Sequence, residues 1–282
     1  MANHLRIVIP EYGGRQELTA PLIDSIPHMD TDTRIFIGDD GFYIDDSEHI
    51  SYGLEIIHFD KNVGFARNVN RLAGLACKDI PDYDLATTVL LIVNTDVIFY
   101  PNAVETLVDS VLRYGNMCGP AILVPPGYVD DTGWGPHKQL FSKVRYTTEL
   151  TKGFAKKLFS DSMTMLSGAC FALPASAWFA LGGFDCESYR AYYEDDDFGI
   201  RMNLAGYDVN VCYDAIIEHT VSQTIMEDDP KNKQIREASL ANFKSKWPDY
   251  EWGNTGQYFP DKKANSLDAR IVFKGEGRSE IL

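Results

Sequence analysis

Two periods of apolar residues alternate along this chain. Short β-like runs occupy residues 5–9, 33–37 and 54–59, and Val89, Leu90, Leu91, Ile92 and Val93 form an unbroken fourth. An unbroken run of that length predicts a strand covered on both faces, as in the interior of a parallel sheet. Between the third and fourth runs, Phe65, Val69, Leu72, Ala73 and Ala76 fall at i, i+4, i+7, i+8 and i+11, one face of an amphipathic helix. Residues 18–26 are helix-compatible, and Val104, Leu107, Val108, Val111 and Leu112 repeat the helical spacing before a further apolar run at 121–124. Strands alternating with helices of this size predict βαβ units and a mostly parallel sheet.

From 125 to 162 the periodicity fades into Gly, Pro, Lys and aromatic residues, which reads as a long insert. Order resumes at Leu166. A helix is predicted over 195–205, with Phe198, Met202 and Ala205 on its inner face and Gly206 as its stop. Val209, Val211 and Tyr213 alternate as a strand, followed by the apolar run Ala215-Ile216-Ile217. The tail beyond Asp228 is charged, with scattered aromatics and no evident second core.

Polar residues cluster where the strands end, at Pro10-Glu11-Tyr12, Asp39-Asp40-Gly41, Asn62-Val63-Gly64 and Asn94-Thr95-Asp96. In an open α/β sheet the carboxyl ends of the strands share one rim, and ligands bind there. Asp39 can accept from a base imide or a ribose hydroxyl, and Asp96 can hold a divalent cation against a diphosphate. Asp39-Asp40-Gly41 or Asp96 taken alone reads first as an ordinary turn. A second cluster is Gly182-Gly183-Phe184-Asp185 followed by Tyr192-Tyr193-Glu194-Asp195-Asp196-Asp197. A carboxylate at a helix start gains roughly 0.3 to 1 kcal/mol from the dipole. Two carboxylates about 5 Å apart at an effective dielectric near 20 repel by roughly 3 kcal/mol. Repulsion wins, so the cluster must recruit a cation or raise a pKa, which suits a general base; neutralisation by Arg201, one turn below, is the structural alternative. His219 is open to both readings, a structural imidazole or, beside Asp96, a ligand for a Mn-like ion.

Composition narrows the class. A 282-residue chain that is 45% hydrophobic can bury a sizeable core. It contains no apolar stretch approaching the roughly 20 residues that span a bilayer, and its first ten residues lack a signal-peptide pattern, so a cytosolic location is the expectation. The five cysteines, at 77, 118, 170, 186 and 212, form no C-x-x-C pair and are expected to be reduced. A formal charge of −15 argues against indiscriminate binding to nucleic acid or anionic lipid. Residues 136–160 oppose that balance: Lys138, Lys143, Arg145, Lys152, Lys156 and Lys157 face the single acid Glu149, either as a solvated face or as a surface for an anionic partner. The absence of G-x-G-x-x-G, G-x-x-x-x-G-K-[ST] and G-x-S-x-G removes the main support for dinucleotide oxidoreductase, P-loop and nucleophile-elbow readings.

Taken in order, Ile7-Val8-Ile9-Pro10, Asp39-Asp40-Gly41, Asn62-Val63-Gly64-Phe65-Ala66 with Asn70, and Asn94-Thr95-Asp96-Val97 resemble the family 2 glycosyltransferases of GT-A fold, in particular the rhamnosyltransferase-like branch. The resemblance continues through Ser167-Gly168-Ala169, Gly182-Gly183-Phe184-Asp185, Glu194-Asp195-Asp196-Asp197, His219 with Ser222, and Phe243 to Lys246-Trp247, covering about residues 5–247. It implies an α/β GT-A fold: a Rossmann-like, mostly parallel central sheet with flanking helices and an acceptor-side insert. One catalytic domain would span 1–228, with a nucleotide-sugar half over about 1–125 and an acceptor and catalytic half over about 126–228. Residues 229–282 would be a helical or irregular extension.

The same resemblance assigns Pro10, Glu11, Tyr12, Asp39, Asn62, Gly64, Arg67, Asn94, Thr95 and Asp96 to a UDP-, dTDP- or GDP-sugar. Asp96 and His219 would hold Mn²⁺ or Mg²⁺. Asp195, with Glu194 beside it, would be the base of an inverting transfer. Lys152, Lys156, Lys157, Gly168 and Tyr193 would face the acceptor, expected to be an anionic lipid-linked glycan or polysaccharide, or else a hydroxymethylated base in DNA. Such an acceptor would place the chain in the cytosol or peripherally at a membrane. Asn94 stands where many GT-A enzymes carry Asp, although this branch often has Asn there too; Glu11 and Phe42 also depart from the usual residues and leave the donor open. Two other classes remain: a nucleotidyltransferase, hinted at by Gly13-Gly14-Arg15, and a non-catalytic nucleotide-sugar binder, which would not need the acidic cluster.

Overall fold

The computed structural model describes residues 4–13, 16–29, 31–41, 54–125, 140–142, 165–220 and 230–248. Strands β1 (His4–Glu11), β2 (Asp32–Asp39), β3 (Leu54–His58) and β4 (Thr88–Val93) lie parallel in the order β3-β2-β1-β4. All six residues of β4 are buried, as its unbroken apolar run requires. Helix α1 (Gln16–Ser25) follows β1 and α2 (Phe65–Ala76) follows β3. Alternation along the strands splits the core between the two faces of the sheet. Leu5, Ile7, Ile9, Leu91 and Val93 pack with Leu22 of α1. Val8, Leu90 and Ile92 pack with Val69, Leu72 and Ala73 of α2.

After β4 the chain forms β5 (Val97–Phe99), α3 (Ala103–Tyr114), β6 (Met117–Val124) and β7 (Leu140–Ser142). It continues through β8 (Cys170–Pro174), α4 (Ala175–Leu181), α5 (Glu194–Leu204), β9 (Val209–His219) and α6 (Pro230–Lys246). The sheet continues across β4-β8-β6-β9-β5, with β7 beside β6. Among the described residues five strand pairings are parallel and three, β4–β8, β6–β8 and β5–β9, are antiparallel. The expected parallel character therefore holds in the first half and becomes mixed in the second.

One strand is longer than its sequence pattern implied. The alternating segment near 209–213 and the apolar run at 215–217 are one strand, β9, joined across an irregularity where Pro120 pairs with Cys212 but Ala121 pairs with Ile216. Proline in a central strand is tolerated at such a break. The extension carries β9 as far as His219, which pairs with Val97 of β5. Helix α5 begins one residue earlier than expected and ends at Leu204, with Gly206 at φ +89° beyond it. The charged tail contributes α6, whose Phe243 is buried with Met165, Tyr189 and Ile200. Among the described residues no helix is long and apolar enough to cross a membrane.

Candidate functional site

The parallel register aligns the strand ends: Glu11 of β1 lies beside Asp39 of β2, which lies beside His58 of β3. Asp39 is 1% exposed, and its Oδ2 lies 2.8 Å from His58 Nδ1. The Glu11 carbonyl accepts the Asp40 N–H at 3.2 Å, locking the first two strand ends together. Asp40 turns inward and accepts from the Val63 and Gly64 N–H groups. Burial nevertheless pushes its carboxyl above the ordinary carboxylate range, against those two donors and Arg190. Asn62 Oδ1 accepts from Arg190 Nη2 at 2.8 Å, and Gly64 sits at φ +89° with room for no side chain, because a Cβ would lie 2.6 Å from Arg190 Cγ. Arg67 pairs with Glu187 at 2.6 Å. Pro10 is buried in β1, whereas Tyr12 is 37% exposed at the rim.

Asp96 and His219 meet at the end of β4. The β5–β9 pairing brings His219 Nε2 to 3.1 Å from Asp96 Oδ1, and the Asp96 carbonyl accepts from both the N–H and the hydroxyl of Thr220. Thr95 is buried between Asn94 and Asp96. The Asn94 N–H donates to the Ala169 carbonyl at 2.9 Å, while its buried Oδ1 has no hydrogen-bond partner among the described residues. The Asp96 carboxylate and the His219 imidazole nitrogen meet here, and the buried Asn94 amide oxygen stands two residues earlier in the sequence; these are the oxygen and nitrogen donor types that Mn²⁺ or Mg²⁺ takes. The residues present therefore fit such an ion. Among the described residues no three His, Cys, Asp or Glu side chains converge on one point.

The four successive acids of α5 have separate fates. Tyr192 and Tyr193 precede them at φ +68° and +69°, a left-handed pair without glycine. Asp195 Oδ2 accepts the Gly168 N–H at 2.6 Å, and its Oδ1 accepts the Asp196 N–H at 2.9 Å. A Cβ on Gly168 would approach Asp195 Oδ2 to 3.0 Å, so glycine allows this close seat. Residue 168 thus holds Asp195 while residue 169 holds Asn94, and this loop ties the acidic cluster to the strand-end rim. Burial, followed by the charge of Asp195, pushes the Glu194 and Asp196 carboxyls well above their ordinary values. Asp197 is fully buried and receives Arg201 Nε at 2.8 Å, Lys246 Nζ at 2.7 Å and Trp247 Nε1 at 2.9 Å. The structural alternative for the cluster is thus realised at Asp197, where Arg201 and Lys246 are the partner cations.

Tyr193 stacks near Phe243 of α6 at 5.6 Å between ring centroids, so part of this acceptor candidate is packing surface. Lys152, Lys156 and Lys157, and Phe42 and Ser222, lie outside the described residues. Sequence reasoning missed His58 and Arg190 at the rim. Their signals were a polar residue at the end of a strand and an arginine beside the tyrosine pair. It found Lys246 and Trp247 only as part of a pattern.

Residues 89–236, more than half of the 282, match Glycosyl transferase family group 2. One relative is an N-acetylglucosaminyl-diphospho-decaprenol L-rhamnosyltransferase of Mycobacterium tuberculosis, 28% identical over 134 residues, which are 42% of this chain and 42% of the relative. Among solved structures, the mannosyltransferase PcManGT from Pyrobaculum calidifontis in complex with GDP-Man and Mn²⁺ matches at TM-score 0.56 and 13% identity, over 95% of this chain and 69% of that one. TarS 1-349 of S. aureus in complex with UDP-GlcNAc matches at TM-score 0.56 and 12% identity, over 98% of this chain and 74% of that one. GalNAc-T7 with UDP, GalNAc and Mn²⁺ matches at TM-score 0.57 and 14% identity, over 78% of this chain and 44% of that one. At these identities the structural likeness speaks to the fold, which is GT-A. The match over more than half of the chain speaks to ancestry: the chain belongs to Glycosyl transferase family group 2.

Proposed function

We propose that this chain transfers a sugar, with inversion, from a nucleotide-diphosphate donor to an acceptor hydroxyl. The observation that carries this reading is the loop at 168–169, which joins Asp195 to the same rim as Asn94, Asp96 and His219. The nucleotide lies along Pro10, Glu11, Tyr12, Asp39 and the Asn62–Arg67 segment. Asp96 and His219, with the Asn94 amide oxygen, would hold Mn²⁺ or Mg²⁺, which when bound would offset the charge of the departing diphosphate. Asp195, with each oxygen oriented by one backbone N–H, keeps further lone pairs to take the proton of the acceptor hydroxyl as it attacks the anomeric carbon. The transition state is oxocarbenium-like. Glu194, next to Asp195 in the chain, has its carboxyl held above its ordinary range by burial and by the charge of Asp195.

An anionic acceptor is supported by the basic segment at 136–160 and by the M. tuberculosis relative, whose name carries a diphospho-decaprenol. A lipid-linked glycan, met peripherally at a membrane, is therefore the first acceptor to try, and hydroxymethylated DNA the second.

The test is release of nucleoside diphosphate from UDP-, dTDP- and GDP-sugars, with and without Mn²⁺ or Mg²⁺, for the native chain and Asp195→Asn. Metal-stimulated release from one donor class is expected. Asp195→Asn should lower transfer by about 10²- to 10⁴-fold while leaving donor affinity intact. Full transfer by Asp195→Asn rejects the base assignment, and donor binding without any transfer by the native chain favours a non-catalytic binder.

A further inference from the structure

Lys246 is buried among groups that the chemistry proposed above does not use. Its ammonium lies 2.8 Å from Asp185 Oδ2 and 2.7 Å from Asp197 Oδ1, and its side chain is 14% exposed. The rings of Tyr189 and Trp247 flank it at 5.8 and 5.9 Å. Asp185 and Asp197 are the two ends of one segment, so a single cation closes that segment into a loop. Asp195 lies inside the loop, two residues from its far end.

The rest of α6 grips the same segment from within. Ser239 Oγ donates to the Ala191 carbonyl at 2.8 Å, and Asn242 Nδ2 donates to the Ser188 carbonyl at 2.7 Å. Phe243 packs against Tyr193, the second residue of the left-handed pair. That backbone region is disfavoured for aromatic residues and persists only when its surroundings impose it. On the opposite side Arg201 joins Asp197 to the carbonyls of Leu181 and Gly183. The first turn of α5 is thereby fixed from two directions, and Asp195 projects from that turn towards Gly168.

We propose that Lys246 is a positioning residue for Asp195: by bridging Asp185 and Asp197 it holds the left-handed pair and the first turn of α5, and so sets the carboxylate of Asp195 against the Gly168 N–H. This rests on the reading of Asp195 as the base for its catalytic meaning, but not for its geometry. A charge so placed does more than add stability. Removing it frees one end of the segment and leaves Asp197 with a single cation, while the strand-end rim keeps all its own contacts.

The Gly168 amide reports the position directly, since it donates to Asp195 at 2.6 Å. Hydrogen exchange at Gly168, with the central β4 amide of Leu91 as reference, should be measured for the native chain, Lys246→Met and Lys246→Arg. Lys246→Met should lower Gly168 protection by roughly tenfold or more, with Leu91 unchanged. Lys246→Arg should recover most of it. Equal protection in Lys246→Met, or a loss in Lys246→Arg as large as in Lys246→Met, overturns the proposal. If Lys246→Met does not fold, Asp185→Asn decides: a drop at Gly168 of about threefold supports the bridge, and no change rejects it.

Kinetics separate this inference from the reading beneath it. Release of UDP from UDP-GlcNAc, GDP from GDP-mannose or dTDP from dTDP-rhamnose, whichever turns over, should show kcat lowered by about 10- to 100-fold in Lys246→Met with donor KM unchanged. Lowered Gly168 protection with full activity in Asp195→Asn would keep Lys246 as positioner and remove Asp195 as base. An inactive Asp195→Asn with native kcat in Lys246→Met would do the reverse.

Discussion

Glu194 and Asp195 are adjacent carboxylates in contrasting surroundings. Asp195 has a backbone N–H on each oxygen, whereas Glu194 is 5% exposed and its Oε2 has no hydrogen-bond partner among the described residues. Burial and the charge of Asp195 raise the Glu194 carboxyl well above its ordinary 4.5. The folded protein then keeps a proton that the unfolded chain releases, so this group's contribution is complete below that ordinary value and is lost as pH rises through the folded one. Asp196 acts in the same direction. Glu194→Gln keeps the neutral shape and removes the penalty. Its Tm should exceed that of the native chain at pH 8 and match it at pH 4; a gain of the same size at both pH values would show that the titration is not responsible.

At the scale of elements, α2 does more than cover the sheet. Its buried face follows the apolar period, but Asn68 and Asn70 are buried on it as well. Asn68 donates to the Gly38 carbonyl at 2.8 Å, at a place where a Cβ on Gly38 would collide with the amide. Asn70 both donates to the Phe184 carbonyl and accepts from the Phe184 N–H, at 2.8 and 2.9 Å. A helix from the first half of the chain is thus stitched to the turn that leads into the segment bearing Asp195. Asn70→Ala strands two buried backbone groups and should cost about 2 to 4 kcal/mol in urea unfolding. A loss below about 0.5 kcal/mol would show that the stitch is replaced by water or by local relaxation.

Over the whole molecule, the antiparallel pairing of β8 with β4 makes one sheet of both halves. The cores on the two faces also run through both halves: Val93 and Cys170 share one, Leu90 and Phe171 the other. The described residues should therefore unfold in one cooperative transition, with calorimetric and van't Hoff enthalpies equal. Two resolved transitions would show that the two halves of the sheet are independent units.

The sequence by itself determined the first four strands, the helices at 65–76, 103–114 and 194–204, and the rim of polar strand ends, but not β5, β7, β8 or the helix at 175–181. Burial on both faces leaves an unbroken apolar run at Val89 to Val93, a helix packed on a sheet leaves the spacing from Phe65 to Ala76, and parallel strands put their polar ends on one side. It also nominated Asp96, His219 and Asp195, through the grouping of polar strand ends, the crowding of four successive acids and the ordered resemblance to family 2 glycosyltransferases. Only the tertiary structure decided which of these meet. His219 reaches Asp96 through a strand irregularity opposite Pro120, and Asp195 reaches the rim through one glycine amide. Asp197 leaves the acidic cluster for Lys246, 49 positions along the chain, and His58 joins Asp39 across a strand pair. Local periodicity records whether a side chain is buried; the identity of its partner depends on register and on long-range packing, which no short window of sequence contains.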